Sequence, residues 1–386
     1  MIEIEPSAQG EPRMSDCYNN RVSDFALNVR QFGAVGDGET DDTQAIQKAI
    51  DTAADISGQV IFPPGVYTCS TLRLKPHITL TGCANWSYWY YKGSVVRLID
   101  DQASCLIDAT KAIGAVIDGL ALDGLSSDHK HLGKGIHGIM LHNAAFLERD
   151  EHGAFDDAIR IERSLVRNFS GDGIHLHNIC VFTVRSSMIA NNLENGVSVR
   201  GCDGYVLDCW LAANRKAGYG AYGVNASVTM TANRIEWNRG GGIVIHGGNH
   251  YNITGNFLDR SGGPGIWLRS DGDELCNRFA ITGNLIRRSG AHWDDHGEYA
   301  NSQIFLDGCR GVVCIGNTLS IGQDDFEKGE FTPAYGVVYR NLGNCIIKDN
   351  VLHDGALNEL IVNLGDNDEN TTIVKDNIGS VAGEQR

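Results

Sequence analysis

The sequence predicts an all-β solenoid, a stack of coils with equivalent strands lying on one another. Three observations carry this. A Gly-Ile-x-Leu-x unit starts at Gly138, Gly173, Gly196, Gly242 and Gly265, with a degenerate copy at Gly220, and from Gly173 onward its starts lie 22 to 24 residues apart. A second short motif ends in Asn at Asn233, Asn256, Asn284, Asn317, Asn350 and Asn377. Apolar residues hold fixed offsets from each Asn: Met230, Ile253, Ile281, Cys314, Ile347 and Val374 before it, and Ile235, Leu258, Ile286, Leu319 and Leu352 after it. Self-similarity at such a period marks a repeat architecture. Neighbouring repeats then bury a core that no single repeat could bury alone.

Composition limits the alternatives. A chain of 386 residues can hold one long solenoid or two ordinary domains. With 47 Gly and only 7 Pro it is globular and rich in tight turns. A net charge of −16 with no basic tract argues against nucleic acid as a partner. No apolar run reaches the ~18–20 residues of a membrane span, so no membrane partner is expected. The first residues lack the basic-then-apolar layout of a secretion signal, which implies a cytoplasmic protein or one whose signal has been removed. The 11 cysteines form no CxxC pair and no Cys/His zinc spacing. They are expected to be reduced, buried, small hydrophobes, without a metal framework.

In chain order, residues 1–26 read as a lead-in, 27–94 as an N-terminal cap with the first coils, and 95–386 as the coils proper, in one domain. Asn28 to Gly38 give a short strand and a glycine-rich turn. Thr40, Asp41 and Asp42 can cap a helix with Ala45, Ile46, Ala49, Ile50 and Ala53 on one face. The glycine-rich turn lacks the Lys-Ser/Thr ending and βαβ setting of a phosphate loop. Val60-Ile61-Phe62 and Val66-Tyr67 flank Pro63-Pro64-Gly65 as a strand–turn–strand. Leu72, Leu74, Ile78 and Leu80 alternate with polar residues as further strands.

The run from Asn28 through Phe32-Gly33-Ala34-Val35-Gly36-Asp37-Gly38 to Ile50, followed by Val60-Ile61-Phe62-Pro63-Pro64-Gly65-Val66-Tyr67, closely resembles the N-terminal, pectate lyase 3-type region of the pectate-lyase-like superfamily. The resemblance implies a right-handed parallel β-helix of three sheets with an N-terminal capping helix. It implies action on polysaccharides without choosing a reaction, because lyases, glycosidases, epimerases and phage tailspikes share the fold. The Gly-Ile-x-Leu-x strand, the strand ending in Asn and the short strand after it would be the first, second and third sheets. A substrate groove would lie on the outer face of the first. The insertions Asp123–His137, Asn143–Asp157, Gly290–Asn301 and Ser320–Ala334 are candidate groove walls. The Asn column is read as a structural ladder, each Asn taking a left-handed turn and bonding its copies.

Strand alternation turns the second and fourth residues of each Gly-Ile-x-Leu-x unit inward and the third and fifth outward. One outward column reads Met140, His175, Ser198, Tyr222, Val244, Trp267. The other reads His142, His177, Arg200, Val224, His246, Arg269, continued by Asp307 and Arg340. Stacked ~5 Å apart, these His and Arg residues need carboxylates or an anionic ligand beside them. An acidic polysaccharide is the implied ligand. Candidate catalytic residues are His175, His177, Asp172, Glu194, Arg200 and Glu236. Candidate substrate-binding residues are His142, Tyr222, Trp237, His246, Trp267, Arg269, Trp293 and Asp307, the aromatics offering flat platforms to sugar rings.

Several reactions suit this set. In a β-eliminating lyase, the leading expectation, a His base removes the proton α to a uronate carboxylate that an Arg neutralises. A hydrolase would use two of Asp172, Glu194 and Glu236, at ~5–5.5 Å or ~6.5–9.5 Å. The Asn-Thr-Asp-Gly, Asp-Asp and Gly-His-Gly motifs of polygalacturonase-type hydrolases do not appear in the groove. A uronate C5-epimerase is a further option. Ser170 to His177 is similar in place and outline to the Tyr-Gly-x-Asp-Pro-His motif of mannuronan epimerases, but only His177 matches its final His. His175 stands where that motif has Asp, and Leu176 replaces Pro. A non-catalytic glycan-binding β-helix is the alternative to all three. No cofactor is expected; Ca²⁺, which needs clustered carboxylates, finds no Asp-x-Asp cluster on the first strands. A homo-oligomer is compatible with the sequence.

Overall fold

The computed structural model describes residues 25–125, 133–145, 156–291, 296–321 and 332–382. Among the described residues one α-helix, α1 (Thr43–Ala54), buries Ile46, Ala49, Ile50 and Ala53 against the first coils. Its first turn is capped by Asp41, whose carboxylate accepts the Thr43 amide at 2.9 Å. Asp42 has a different task. Its buried carboxylate accepts the Val35 and Gly36 amides at 2.6 and 3.0 Å and ties the glycine-rich turn to the helix. That turn is therefore part of the cap.

The rest is a parallel β-helix. Among the described residues every pairing within the two large sheets is parallel; one has 21 strands and the other 13. A small antiparallel hairpin, Asn85–Trp86 with Tyr91–Lys92, stands apart from both. The expected three sheets are thus present as three columns of strands in two hydrogen-bonded sheets. The first two columns merge because strands such as Ile174–Arg185, Val197–Leu207 and Ser302–Ile315 run through the corner between them. At the first of these corners the bend is taken up by one residue. The register shifts between His177 and Ile179, and Asn178 takes φ +56°, so the ladder resumes beyond a bulge.

The inward columns form the core. Ile139, Ile174, Val197, Ile243 and Ile266, with Leu141, Leu176, Val199, Ile245 and Leu268, have no exposed surface. One coil sits two residues from its expected register. Val197 pairs with Tyr219 and Val199 with Ala221, so Gly218, not Gly220, begins that unit. Tyr219 is therefore core, Tyr222 follows the strand in line with Arg200 and His246, and Val224 leaves the column for the exposed turn. A shift of two preserves inside and outside, so alternation alone cannot detect it.

The Asn ladder is continuous. Asn233, Asn256, Asn284, Asn317 and Asn350 each donate backbone and side-chain N–H groups to the side-chain oxygen of the next Asn at 2.9–3.1 Å. The left-handed residue is the one before each Asn: Ala232, Gly255, Gly283, Gly316, Asp349 and Asp376. The sharp turn falls there, leaving the Asn free to point into the stack. A second, shorter ladder runs through Asn192, Asn214 and Asn238 at the opposite corner. It explains the glycines that open the repeat. A Cβ on Gly173 would stand 2.6 Å from the Asn192 side-chain nitrogen, and one on Gly196 2.7 Å from that of Asn214.

Candidate active site

Three neighbouring first-column strands build the site: His137–His142, Ile174–His177 at the head of its long strand, and Val197–Arg200. Their register sets Met140 beside His175 and Ser198, and His142 beside His177 and Arg200. One further column was not anticipated. The residues preceding each repeat glycine, His137, Asp172 and Asn195, also stack; Gly138 donates its amide to the Asp172 carbonyl and Gly173 to that of Asn195, both at 3.0 Å.

Asp172 is the anchor. It is buried, and one carboxylate oxygen accepts the Asn195 backbone and side-chain N–H groups, both at 2.9 Å. Its other oxygen lies 2.8 Å from His175 Nδ1. Burial pushes this carboxyl up, but the His175 hydrogen bond, the neighbouring His137 and the Asn195 amide outweigh burial and hold it below the ordinary value. His137 Nδ1 also lies 3.6 Å from the carboxylate. That nitrogen already accepts the Asp172 amide at 3.0 Å, so it has no proton to give and His137 carries its proton on Nε2.

The same reasoning fixes the next imidazoles. With Asp172 ionised, His175 carries its proton on Nδ1 and presents a bare Nε2. That atom faces His142 Nδ1 at 3.3 Å, which places the His142 proton on Nδ1 and leaves its Nε2 as a free acceptor. His142 is exposed. Asp172–His175–His142 is thus a relay from a buried carboxylate to a solvent-facing base. His177 lies against His175, ring centroids 3.7 Å apart, and its Nε2 is 3.1 Å from the Ser198 hydroxyl. Burial and the other imidazoles push His177 down to about 3 and His137 to about 4. Burial, His175 and Arg200 lower His142. All three are neutral near pH 7.

Arg200 is exposed, without an ion-pair partner among the described residues. Tyr222 forms the next step of the wall. Its hydroxyl donates to the Asn195 side-chain oxygen at 3.2 Å, its ring meets His246 edge-on at 5.1 Å, and burial raises it to about 12. Burial and Arg269 lower His246.

The other expected residues divide. Glu194 stands at the edge of the site, paired with Lys216. Glu236 does not belong to it. It lies on Arg234–Glu236 of the 13-stranded sheet, buried, accepting the Trp210 indole N–H at 2.8 Å and the Arg234 guanidinium at 2.9 Å. Trp237 sits at a left-handed corner position of the second ladder, with the Arg260 guanidinium 4.7 Å from its ring centre. Both residues fall on the third strand and its corner, away from the first column. Trp267 keeps its column but is covered: Phe305 stacks on it at 6.1 Å and Ala300 packs into the same cluster. Arg269 lies over the Trp267 ring at 4.6 Å. Asp307 is held by both arms of Arg340, at 2.8 and 2.6 Å. Among the described residues these aromatics and charges cover one another, although the Trp267 indole N–H is buried without a hydrogen-bond partner. Trp293 lies outside the described residues, as do parts of the four insertions.

Two donor groups at the site lie within 4.8 Å of one another, His142, His175 and His177, and His137, Asp172 and His175. The rings of His142, His175 and His137 are stacked nearly parallel, 30° and 18° apart. His142 Nδ1 and His175 Nε2 already face each other at 3.3 Å and share a proton, so these two atoms are engaged with one another. A nitrogen-rich set is also a poor match to Ca²⁺, which takes oxygen ligands.

Known proteins bear on this geometry. Residues 172–380 match the right-handed β-helix region, which defines the class. Residues 26–267 match the rhamnogalacturonase A/epimerase, pectate-lyase-like family, and the chain belongs to that family. Mannuronan C5-epimerase AlgE2 of Azotobacter vinelandii is 25% identical over 290 residues, 69% of this chain and 24% of that protein. The chain thus spans about a quarter of that relative's length. The A-module of Azotobacter vinelandii mannuronan C-5 epimerase AlgE4 shares the fold at 21% identity and a TM-score of 0.58, covering 92% of this chain and all of that one. Tailspike protein 2 of an Escherichia coli O157:H7 bacteriophage superposes at a TM-score of 0.67 and 16% identity, over 85% of this chain and 43% of its own.

Proposed function

We propose that the protein is a polysaccharide-modifying enzyme that abstracts the C5 proton of uronate residues, with C5-epimerisation as the outcome. The observation that carries the reading is the Asp172–His175–His142 relay, which ends in a bare imidazole nitrogen on the outer face, one strand from His177 and two from Arg200. Arg200 pairs with the uronate carboxylate. His142 Nε2 takes the C5 proton, and the electron pair of the broken C–H bond passes into the carboxylate as an enolate that Arg200 stabilises. The positive charge gained by His142 is shared through His175 with Asp172. The half-buried Tyr222 hydroxyl, kept protonated, gives a proton to C5, and its phenolate then regains a proton from solvent as His142 releases the one it took.

β-Elimination begins with the same proton transfer and ends with loss of the C4 oxygen. The mannuronan epimerases among the relatives favour reprotonation. Hydrolysis by two of Asp172, Glu194 and Glu236 is disfavoured, because Asp172 is committed to His175 and Asn195, and Glu236 lies on the other sheet. No cation is assigned a part, so EDTA or EGTA is expected to leave activity unchanged.

The test is incubation with mannuronan and other polyuronates in D₂O, followed by NMR. Epimerisation places one deuterium at C5 of the inverted residue. An unsaturated-uronide absorbance with chain cleavage would replace this reading with a lyase. Reducing ends without either signal would make it a hydrolase. Binding with none of the three would leave a glycan-binding module. His142→Ala should abolish exchange at C5 while the polymer still binds.

A further inference from the structure

Cys180 and Cys202 are one coil apart, a spacing that hides them from any linear zinc pattern, yet they are in-register partners on adjacent strands. Their sulfurs lie 3.1 Å apart, inside ordinary sulfur–sulfur contact. Asp203, held at φ +58°, folds its carboxylate back so that one oxygen lies 3.4 Å from Cys180 Sγ and 3.5 Å from Cys202 Sγ. Burial is graded: Cys180 is buried, Cys202 half-buried and Asp203 exposed, so the three donors converge at a corner open to water. Beneath them Asp157 accepts the Cys180 amide at 2.8 Å and fixes the strand. Other described cysteines differ: Cys69, Cys105, Cys209, Cys276, Cys309, Cys314 and Cys345 are buried in the core.

We propose that Cys180, Cys202 and Asp203 form a binding site for a thiophilic divalent cation of the zinc or cadmium class, with solvent completing the coordination. Two sulfurs and a carboxylate within 4.8 Å of one another are a donor set of the right kind. Two metal–sulfur bonds of ~2.3 Å at a tetrahedral angle hold sulfurs roughly 3.7 Å apart, which a small side-chain rotation supplies. A disulfide would need the same sulfurs at ~2.05 Å and would leave the carboxylate pressed against them with nothing to neutralise it. On binding, two S–H protons pass to the buffer, two metal–sulfur bonds form, and the carboxylate occupies a third position. The bound ion would staple two coils immediately behind His177 and Arg200.

The test is titration of the full chain, kept reduced, with CdCl₂, following thiolate-to-cadmium absorbance and thermal stability. One Cd²⁺ per chain is expected, with the band and a raised melting temperature. Cys202→Ser should lose both. Asp203→Asn, an exposed change that spares the fold, should weaken binding at least tenfold, and Cys83→Ser should change nothing. The proposal is overturned if Cys180→Ser/Cys202→Ser keeps the band, if no stoichiometric uptake occurs, or if Asp203→Asn binds as tightly as the parent. It is equally overturned if the isolated protein is two hydrogens lighter and regains them on reduction at Cys180 and Cys202.

Discussion

At the scale of single residues, Asp172 decides what the imidazoles around it do. It fixes the His175 tautomer, His175 fixes that of His142, and its own backbone amide fixes that of His137. Asp172→Asn leaves the shape and removes the preference, since an amide can present N–H to His175 and reverse the chain. Activity on the polymer is expected to fall about 10²- to 10⁴-fold in kcat, the range of lost general acid–base assistance, with KM little changed. Steady-state kinetics decide this. Stability should also follow the histidines. His137 and His177 have folded values near 4 and 3, below the ordinary 6.5, so their neutral, half-buried forms support the fold fully above pH 6.5. That support is lost as pH falls toward 4 and then 3, because the unfolded chain takes up protons first. Melting temperatures should be level above pH 7 and drop steadily below 6.5, with a shallower drop in His137→Asn. The sequence displayed His142, His175, His177 and Arg200 as an outward file, because alternation fixes side. His137 and Asn195 were missed because they precede the glycine that was used as the start of the repeat. Counting the column one place earlier would have shown them.

Elements here are held by corners as much as by strands. Asn233, Asn256, Asn284, Asn317 and Asn350 each join three coils, their side-chain N–H groups reaching the next Asn and a carbonyl of an earlier coil, as Asn317 does to Asn350 and Ile281. Asn317→Ala strands the Asn284 backbone and side-chain N–H groups in a buried site. The expected cost is at least about 2–3 kcal/mol, read as a lower urea midpoint at unchanged slope. An unchanged midpoint would mean that water replaces the ladder. The ladder was legible because its Asn recur with flanking apolar residues. The conformation was not, since the left-handed position is filled by Ala, Gly or Asp and shows no common residue. The coil at Gly218 was misregistered for a related reason. Two glycine starts, Gly218-Tyr219 and Gly220-Ala221, fit the alternation equally, and only the pairing with neighbours separates them. Glu236 was misplaced because strand alternation says which way a side chain points, not which of three faces it is on.

For the molecule as a whole, the N-terminal motif and the repeat were sufficient to read a capped parallel β-helix. The fusion of two columns into one sheet was not readable, because it depends on how each corner is hydrogen-bonded. Toward the proposed polyuronate, the net charge of −16 acts at long range as a repulsion. Raising ionic strength from about 10 mM to about 100 mM shortens the screening length from ~30 to ~10 Å. kcat/KM on a polyuronate should therefore first rise a few-fold, then fall as Arg200 is itself screened. A monotonic fall would mean that the local His/Arg file already dominates at a distance.

The stacked imidazoles carry one more consequence. His137, His142 and His177 all surround His175, and protonating any one raises the cost of protonating its neighbours. His137, His142 and His177 therefore titrate as a coupled set, in macroscopic steps that belong to no one ring. In the proposed reaction, a base set built this way takes one proton from the sugar and resists a second until the first has been returned.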